Sequence, residues 1–260
     1  MNTGMKIAAL ALAGLAGLPG ILAAQDFEWT GRVDRGDQLE IKGINGEIDA
    51  TYTSGSQVRV RAEKKGKKDD PNQVRIEVVE HSGGVTVCAV YPDDGGRKNE
   101  CKPGDGGHLS SHDNDVAVHF TVEVPAGVAL HANTVNGGID AGGLQSDVIA
   151  STVNGGVSVS TSGVAKANTV NGSIKASMGR ADWTGDLDFQ TVNGSITVEM
   201  PANVGARVKA STVNGGMETD FPLTIQGKFS NRKMEGTIGD GGRDLNLETV
   251  NGSIRLKKSG

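Results

Sequence analysis

The chain has 260 residues, with 26 basic against 31 acidic side chains and a formal net charge of −5, so it lacks the electrostatic footprint of a nucleic-acid binder. Aromatic residues make up 3% of the chain while glycine reaches 39 residues, which excludes a core built on large rings and favours thin layers of Val, Ile, Ala and Thr. The length permits one large domain or two modest ones.

Residues 1–24 have the pattern of a secretory signal peptide. Lys6 supplies the positive start, Ile7–Leu18 is an apolar run too short to span a bilayer comfortably, and Pro19-Gly20 breaks it before Leu22-Ala23-Ala24. Cleavage near Ala24–Gln25 removes one basic residue and leaves a mature chain with no transmembrane segment. The residue immediately after the cleavage point is Gln25 and not cysteine, so a lipid anchor is not indicated.

Residues 25–125 form a β-rich N-terminal portion. Period-2 alternation predicts strands over 27–33, 38–44, 47–53, 57–64, 73–80, 84–91 and 116–124. The charged run Lys64–Pro71 is a solvated loop tip. Cys88 and Cys101, the only cysteines, are expected to pair in an exported protein and to brace the loop 92–115. That loop also carries His108, His112, Asp113 and Asp115, a weak candidate for a divalent metal site. A polar Gly-rich loop closed by one disulfide explains the same residues, because their spacing matches no established cage.

Residues 126–260 form a repeat array. T-V-N-G recurs at 134–137, 152–155, 169–172, 191–194, 212–215 and 249–252, with a relative, G-I-N-G, at 43–46. Successive copies start 18, 17, 22, 21 and 37 residues apart, the last gap being close to two periods. Such a repeat marks one supersecondary unit stacked on itself. Both flanks alternate: Val148, Ala150 and Thr152 share one face, and Val153, Val157 and Val159 share the other. The strand must bend inside the tetrapeptide for both sets to reach one core, and Asn-Gly is expected to provide the bend through positive φ.

Two architectures use such a corner. One is a series of antiparallel hairpins turned at Asn-Gly. The favoured one is an all-β, right-handed β-solenoid of T-V-N-G repeats, because stacked copies let Asn136, Asn154, Asn171, Asn193, Asn214 and Asn251 form an amide ladder. The expected corners are Asn45-Gly46, Asn136-Gly137, Asn154-Gly155, Asn171-Gly172, Asn193-Gly194, Asn214-Gly215 and Asn251-Gly252. The interval 217–248 is the least regular, with Gly236–Gly239 as a decayed corner. Arg255-Leu256-Lys257-Lys258 is expected to guard an open final coil.

The G-I-N-G copy, the T-V-N-G series and the two V-P-A-x-V-like segments around Pro125 and Pro201 resemble a bacterial family of β-strand-repeat proteins named "putative adhesin", related to the head GIN domain of auto-transporter-like adhesins. The resemblance covers about 38–256 and implies an exported, envelope-associated β-helical protein without a shared catalytic centre. On that footing the partner is an unknown envelope or extracellular ligand, protein or glycan, and the location is the periplasm or the outer surface.

The chain lacks G-x-S-x-G, a phosphate-cradling Gly-rich loop, H-E-x-x-H and C-x-x-C, so no catalytic residue and no cofactor is assigned. The alternative function is a solenoid enzyme acting on a polysaccharide. Its carboxylates would come from Asp182, Asp186 and Asp188 with Arg180 nearby, although a solvated strand face is the favoured account of them.

Overall fold

The structure is a computed structural model that describes residues 27–93, 95–225 and 232–259; the predicted signal segment lies outside the described residues. The first seven strands are β1 (Phe27–Gly31), β2 (Gln38–Lys42), β3 (Ile48–Thr53), β4 (Val58–Lys65), β5 (Arg75–His81), β6 (Gly84–Val90) and β7 (Ala117–Pro125). Each matches a predicted strand to within about two residues at its ends. Eight shorter strands follow in pairs around the tetrapeptides: β8 (Ala129–Asn133) and β9 (Ile139–Leu144), β10 (Val148–Ser151) and β11 (Val157–Thr161), β12 (Ala165–Asn168) and β13 (Ile174–Met178), β14 (Asp186–Gln190) and β15 (Ile196–Met200). The chain closes with β16 (Ala206–Asn214), β17 (Met217–Thr219), β18 (Thr224–Ile225), β19 (Lys233–Ile238), β20 (Arg243–Asn251) and β21 (Ile254–Lys258).

These strands make two large sheets. One has the order β1-β4-β7-β3-β9-β11-β13-β15-β21-β17, the other β18-β19-β16-β20-β14-β12-β10-β8-β2-β6-β5. The two strands flanking each tetrapeptide therefore lie in different sheets, and each pairs in parallel with its counterpart in the next unit. This excludes the antiparallel-hairpin alternative, in which the flanks would pair with each other. One strand of each sheet plus the corner between them is called a rung below. In spatial order the rungs are β2/β3, β8/β9, β10/β11, β12/β13, β14/β15, β20/β21 and β16/β17.

Period-2 alternation explains the core. Ile48, Ile139, Val157, Ile174, Ile196 and Ile254 stand opposite one another along one sheet and are all buried. The inward residues of both sheets form one cluster that runs from Val33 to Leu256. Neither sheet is interrupted at the expected boundary near 125–126: β3 pairs with β9 and β2 with β8 across it.

Three details differ from the sequence reading. Gly236, Thr237 and Ile238 are not a corner; they lie in β19, antiparallel to β16. The 37-residue gap is no skipped rung either, because the chain turns back along β19 and then inserts β20 and β21 between existing neighbours. Consequently the strand holding Arg255–Lys258 is interior, flanked by β15 and β17, and guards no edge.

Candidate functional site

The corner is the feature the whole array repeats, and each letter of T-V-N-G has its own geometry. Thr134, Thr152, Thr169, Thr191, Thr249 and Thr212 are buried, and each hydroxyl donates to the corner-glycine carbonyl of the preceding rung at 2.8–3.0 Å. This satisfies a carbonyl that would otherwise face a side chain, and unpaired buried polar groups are costly. The asparagines form the expected ladder. In the order Asn214, Asn251, Asn193, Asn171, Asn154, Asn136, Asn45, each of the first six donates its Nδ2 to the Oδ1 of the next at 2.8 Å.

The glycine works differently from expectation. Only Gly46 among the corner glycines has positive φ, at 123°, and no corner asparagine does. The others are needed for space: a Cβ on Gly172 would sit 1.9 Å from the carbonyl oxygen of Gly155, and one on Gly194 would sit 1.9 Å from that of Gly172. The valine also departs from expectation. Val153 does not join Val157 and Val159 in the core; Val135, Val153, Val170, Val192, Val250 and Val213 are 36–53% exposed and form a column on the outer edge. Val153 follows buried Thr152 and keeps the outward parity of the upstream strand; the bend comes after it, so the parity of Val157 and Val159 does not reach back to it.

At one end the corner is covered. In the first rung Ile44 takes the valine position and is buried. The segment 91–116 joins β6 to β7, the strands that continue both sheets beyond this rung, and therefore occupies the place of a further corner. Asn45 Nδ2 donates to Ser111 Oγ at 3.2 Å and Asn114 O at 3.4 Å, which completes the amide ladder. Tyr91 is buried and donates to Val116 O at 2.7 Å; burial pushes its phenol up to about 12. Asn99 ties the loop together, donating to Tyr91 O and Ser110 O while its Oδ1 accepts from Ser110 N. Cys88 and Cys101 form the anticipated disulfide, with Cα atoms 5.8 Å apart.

The same loop folds over Glu40, a buried carboxylate that alternation marks as an outward residue. Glu40 accepts from Thr86 Oγ1 at 2.9 Å and Gly104 N at 3.0 Å and pairs with Lys42 at 3.4 Å, while Lys42 Nζ also donates to Lys102 O and Gly104 O. Neither Asn99 nor Glu40 stands out in the sequence. Only the docking of the loop makes them structural.

The weak metal candidates are not gathered. Asp115 accepts from the backbone N–H groups of Lys68 and Asp69, and those bonds, Asp69's first, hold its carboxyl below the usual range. His108 pairs through its backbone with Glu100, and His112 and Asp113 form an exposed pair at 3.4 Å. Among the described residues no group of three or more His, Cys, Asp or Glu side chains could hold a metal ion.

Asp186 and Asp188 alternate with buried Leu187 and Phe189 on β14 and so share its outward face, although they border different grooves. Asp182 and Asp186 line a groove of about 240 Å³ with Arg180 and Trp183, whereas Asp188 faces another beside Gln190 and Lys209. Asp188 accepts from Asn246 Nδ2 and pairs with Lys166, both at 2.9 Å, and these contacts hold its carboxyl low; Arg180 does the same for Asp182. A general acid in glycoside cleavage needs the opposite shift. A further groove of about 450 Å³ runs beside the corner, floored by Gly138 and Gly156 and rimmed by Glu47, Asp49, Asp140 and Lys175. His119 closes one end with its Nε2 3.0 Å from Asp49.

The model of the family Toastrack DUF4097 matches residues 37–257. Solved structures similar to this chain include a "putative cell adhesion protein" from Clostridium sporogenes, at 11% identity and a TM-score of 0.46, covering 90% of this chain and 100% of that one. A "putative adhesin" from Bacteroides fragilis shows 13% identity and a TM-score of 0.37 over 91% of this chain and 100% of its own. A "putative lipid binding protein" from Parabacteroides distasonis shows 9% identity and a TM-score of 0.30 over 89% and 97%. No curated protein matches the chain.

Proposed function

The chain belongs to the Toastrack DUF4097 family, and from that premise we propose that it is an exported, non-catalytic protein of the cell envelope whose T-V-N-G edge is an adhesin-like binding surface. The observation that carries this is the valine column. Thr, Asn and Gly each serve the packing of the corner, whereas valine recurs in all six copies yet remains 36–53% exposed. A contiguous exposed apolar patch on a soluble protein is a mark of an interaction site.

The stack is proposed to be a right-handed β-solenoid, because strand-to-parallel-strand crossovers take that hand almost without exception. The disulfide supports export to the periplasm or the outer surface, since such bonds persist in oxidising compartments. Among the described residues no helix is long and apolar enough to cross a membrane. Against a polysaccharide-cleaving enzyme stand the lowered carboxyls of Asp182 and Asp188.

The test is a panel of proteins and acidic and neutral glycans presented to the purified mature chain, scored for retention and for cleavage. Retention without cleavage is the expected result. Cleavage that disappears in Asp186→Ala and Asp188→Ala, with thermal unfolding unchanged, would replace this function with the enzymatic one.

A further inference from the structure

We infer that the T-V-N-G edge binds an uncharged, linear polysaccharide lying along the stack, across successive rungs. This rests on the binding role proposed above and names its partner.

Charge comes first. The corner segments 133–138, 151–156, 168–173 and 190–195 contain no ionisable residue. Along the column charges resume at Lys42 and Glu47 at one end and Glu248 at the other, while Asp140, Lys166 and Lys175 stand two residues to the side. The sheet faces, in contrast, carry ion pairs such as Lys166–Asp188 and Arg207–Asp244. An ionic polymer would find no counter-charge within the stripe along four consecutive rungs, and a neutral one lying on it would bury no charge.

Width comes second. Six rungs at about 4.8 Å span roughly 24 Å, and Val, Asn and Gly at about 3.3 Å each make the stripe roughly 10 Å wide. That is about 240 Å² on one partner, half of the ~500 Å² each side needs for a specific protein interface of ~1,000 Å². A second copy of the chain or a globular protein would therefore be held too weakly by this edge alone. A single extended polymer chain is as narrow as the stripe.

Hydrogen-bonding capacity comes third. Each ladder asparagine spends one amide hydrogen and one lone pair on its neighbours. A second hydrogen and a second lone pair remain on Asn136, Asn154, Asn171 and Asn193, whose side chains are exposed. Sugar hydroxyls both donate and accept, so a chain of them can meet such a column at each repeat, while its C–H faces lie on the valine methyls.

The variant with Val135, Val153, Val170 and Val192 all changed to Thr separates ligand binding from packing, because Thr keeps the branched shape. Sedimentation with insoluble cellulose and chitin and with soluble laminarin is compared with polygalacturonate, anionic phospholipid vesicles and self-association in the ultracentrifuge. The expected result is retention of the wild-type chain by at least one neutral glycan and at least a tenfold loss in the fourfold variant, at an unchanged Tm. If that variant fails to fold, V170T alone is used and a loss of at least twofold is expected. Binding only to polygalacturonate, vesicles or itself overturns the neutral-glycan assignment and leaves the binding surface standing. Unchanged glycan retention by the folded variant overturns the edge as the site. Retention by nothing in the panel overturns both this partner and the binding role beneath it.

Discussion

The two ends of the stack are finished in different ways. At the first rung both sheets continue, through β7, β4 and β1 on one side and β6 and β5 on the other, and the disulfide loop completes the amide ladder over Asn45. At the last rung, among the described residues, β19 and β18 cover only one sheet; the other stops at the three residues of β17. Val213 there is 53% exposed, against 36–39% for the other five valines of the column. A repeat array whose rungs are nearly identical inside is thus given polarity by its ends. The closed end is specific and cross-linked, and the other relies on a very short edge strand, a common way to discourage pairing with another molecule.

The largest test of that contrast uses the close approach of the glycines. In Gly172→Ala the new methyl meets the Gly155 carbonyl at 1.9 Å, with rungs packed on both sides. The expected cost is about 3 kcal/mol or more, at the upper end of overpacking effects. Gly215→Ala meets the Gly252 carbonyl at the same 1.9 Å, but β17 has no neighbour on its far side among the described residues and can move outward. It should cost about 1–2 kcal/mol. Urea unfolding measures both, and equal losses would mean that the last rung is held as rigidly as the interior.

The next effect is confined to the closed end. Replacing Cys88 and Cys101 by Ser opens a cross-link with a sequence separation of 13 residues. That should lower stability by about 3 kcal/mol. Amide exchange should quicken around Tyr91, Val116 and Asn45, whose contacts the loop provides, and stay unchanged at Asn214 and Val250. Faster exchange at both ends would show one cooperative unit in place of two independently finished ends.

How far the sequence leads follows the same division. Ile139, Val157 and Ile174 announce their strands by alternation, and Asn136 to Asn251 announce a ladder by recurring at one place in every copy. Those are local signals repeated many times, and the parallel pairing agrees with them. Glu40 and Asn99 carry no such signal, because Glu40 is bound by Gly104 from 64 residues away and Asn99 by Ser110 from the far side of its own loop. The role of the corner glycine was misjudged for a related reason. Positive φ is a property of one residue, whereas a 1.9 Å approach between Gly172 and Gly155 exists only once two rungs are stacked. For Val153 the parity of Val157 and Val159 is a misleading guide, because a bend separates it from them.

The order of the rungs is the part least visible in the chain, and the smallest effect tests it. Asn251 belongs to the last copy in sequence, so stacking in chain order would leave it with one ladder neighbour. In space it lies between Asn193 and Asn214, donating to one and accepting from the other at 2.8 Å. Asn214, from the copy before it, is the true terminus: its Nδ2 donates to Asn251, and no further rung follows among the described residues. The short β17 explains why that rung goes last, since Met217 is only partly buried and a fuller strand, with Ile254 and Leu256 both buried, can use neighbours on both sides. Each ladder bond is worth about 0.5–1.5 kcal/mol. Asn251→Ala should therefore match Asn171→Ala at about 1–2 kcal/mol, and Asn214→Ala should cost about half as much. The difference between Asn251→Ala and Asn214→Ala, read from paired urea melts, changes sign if the rungs stack in chain order.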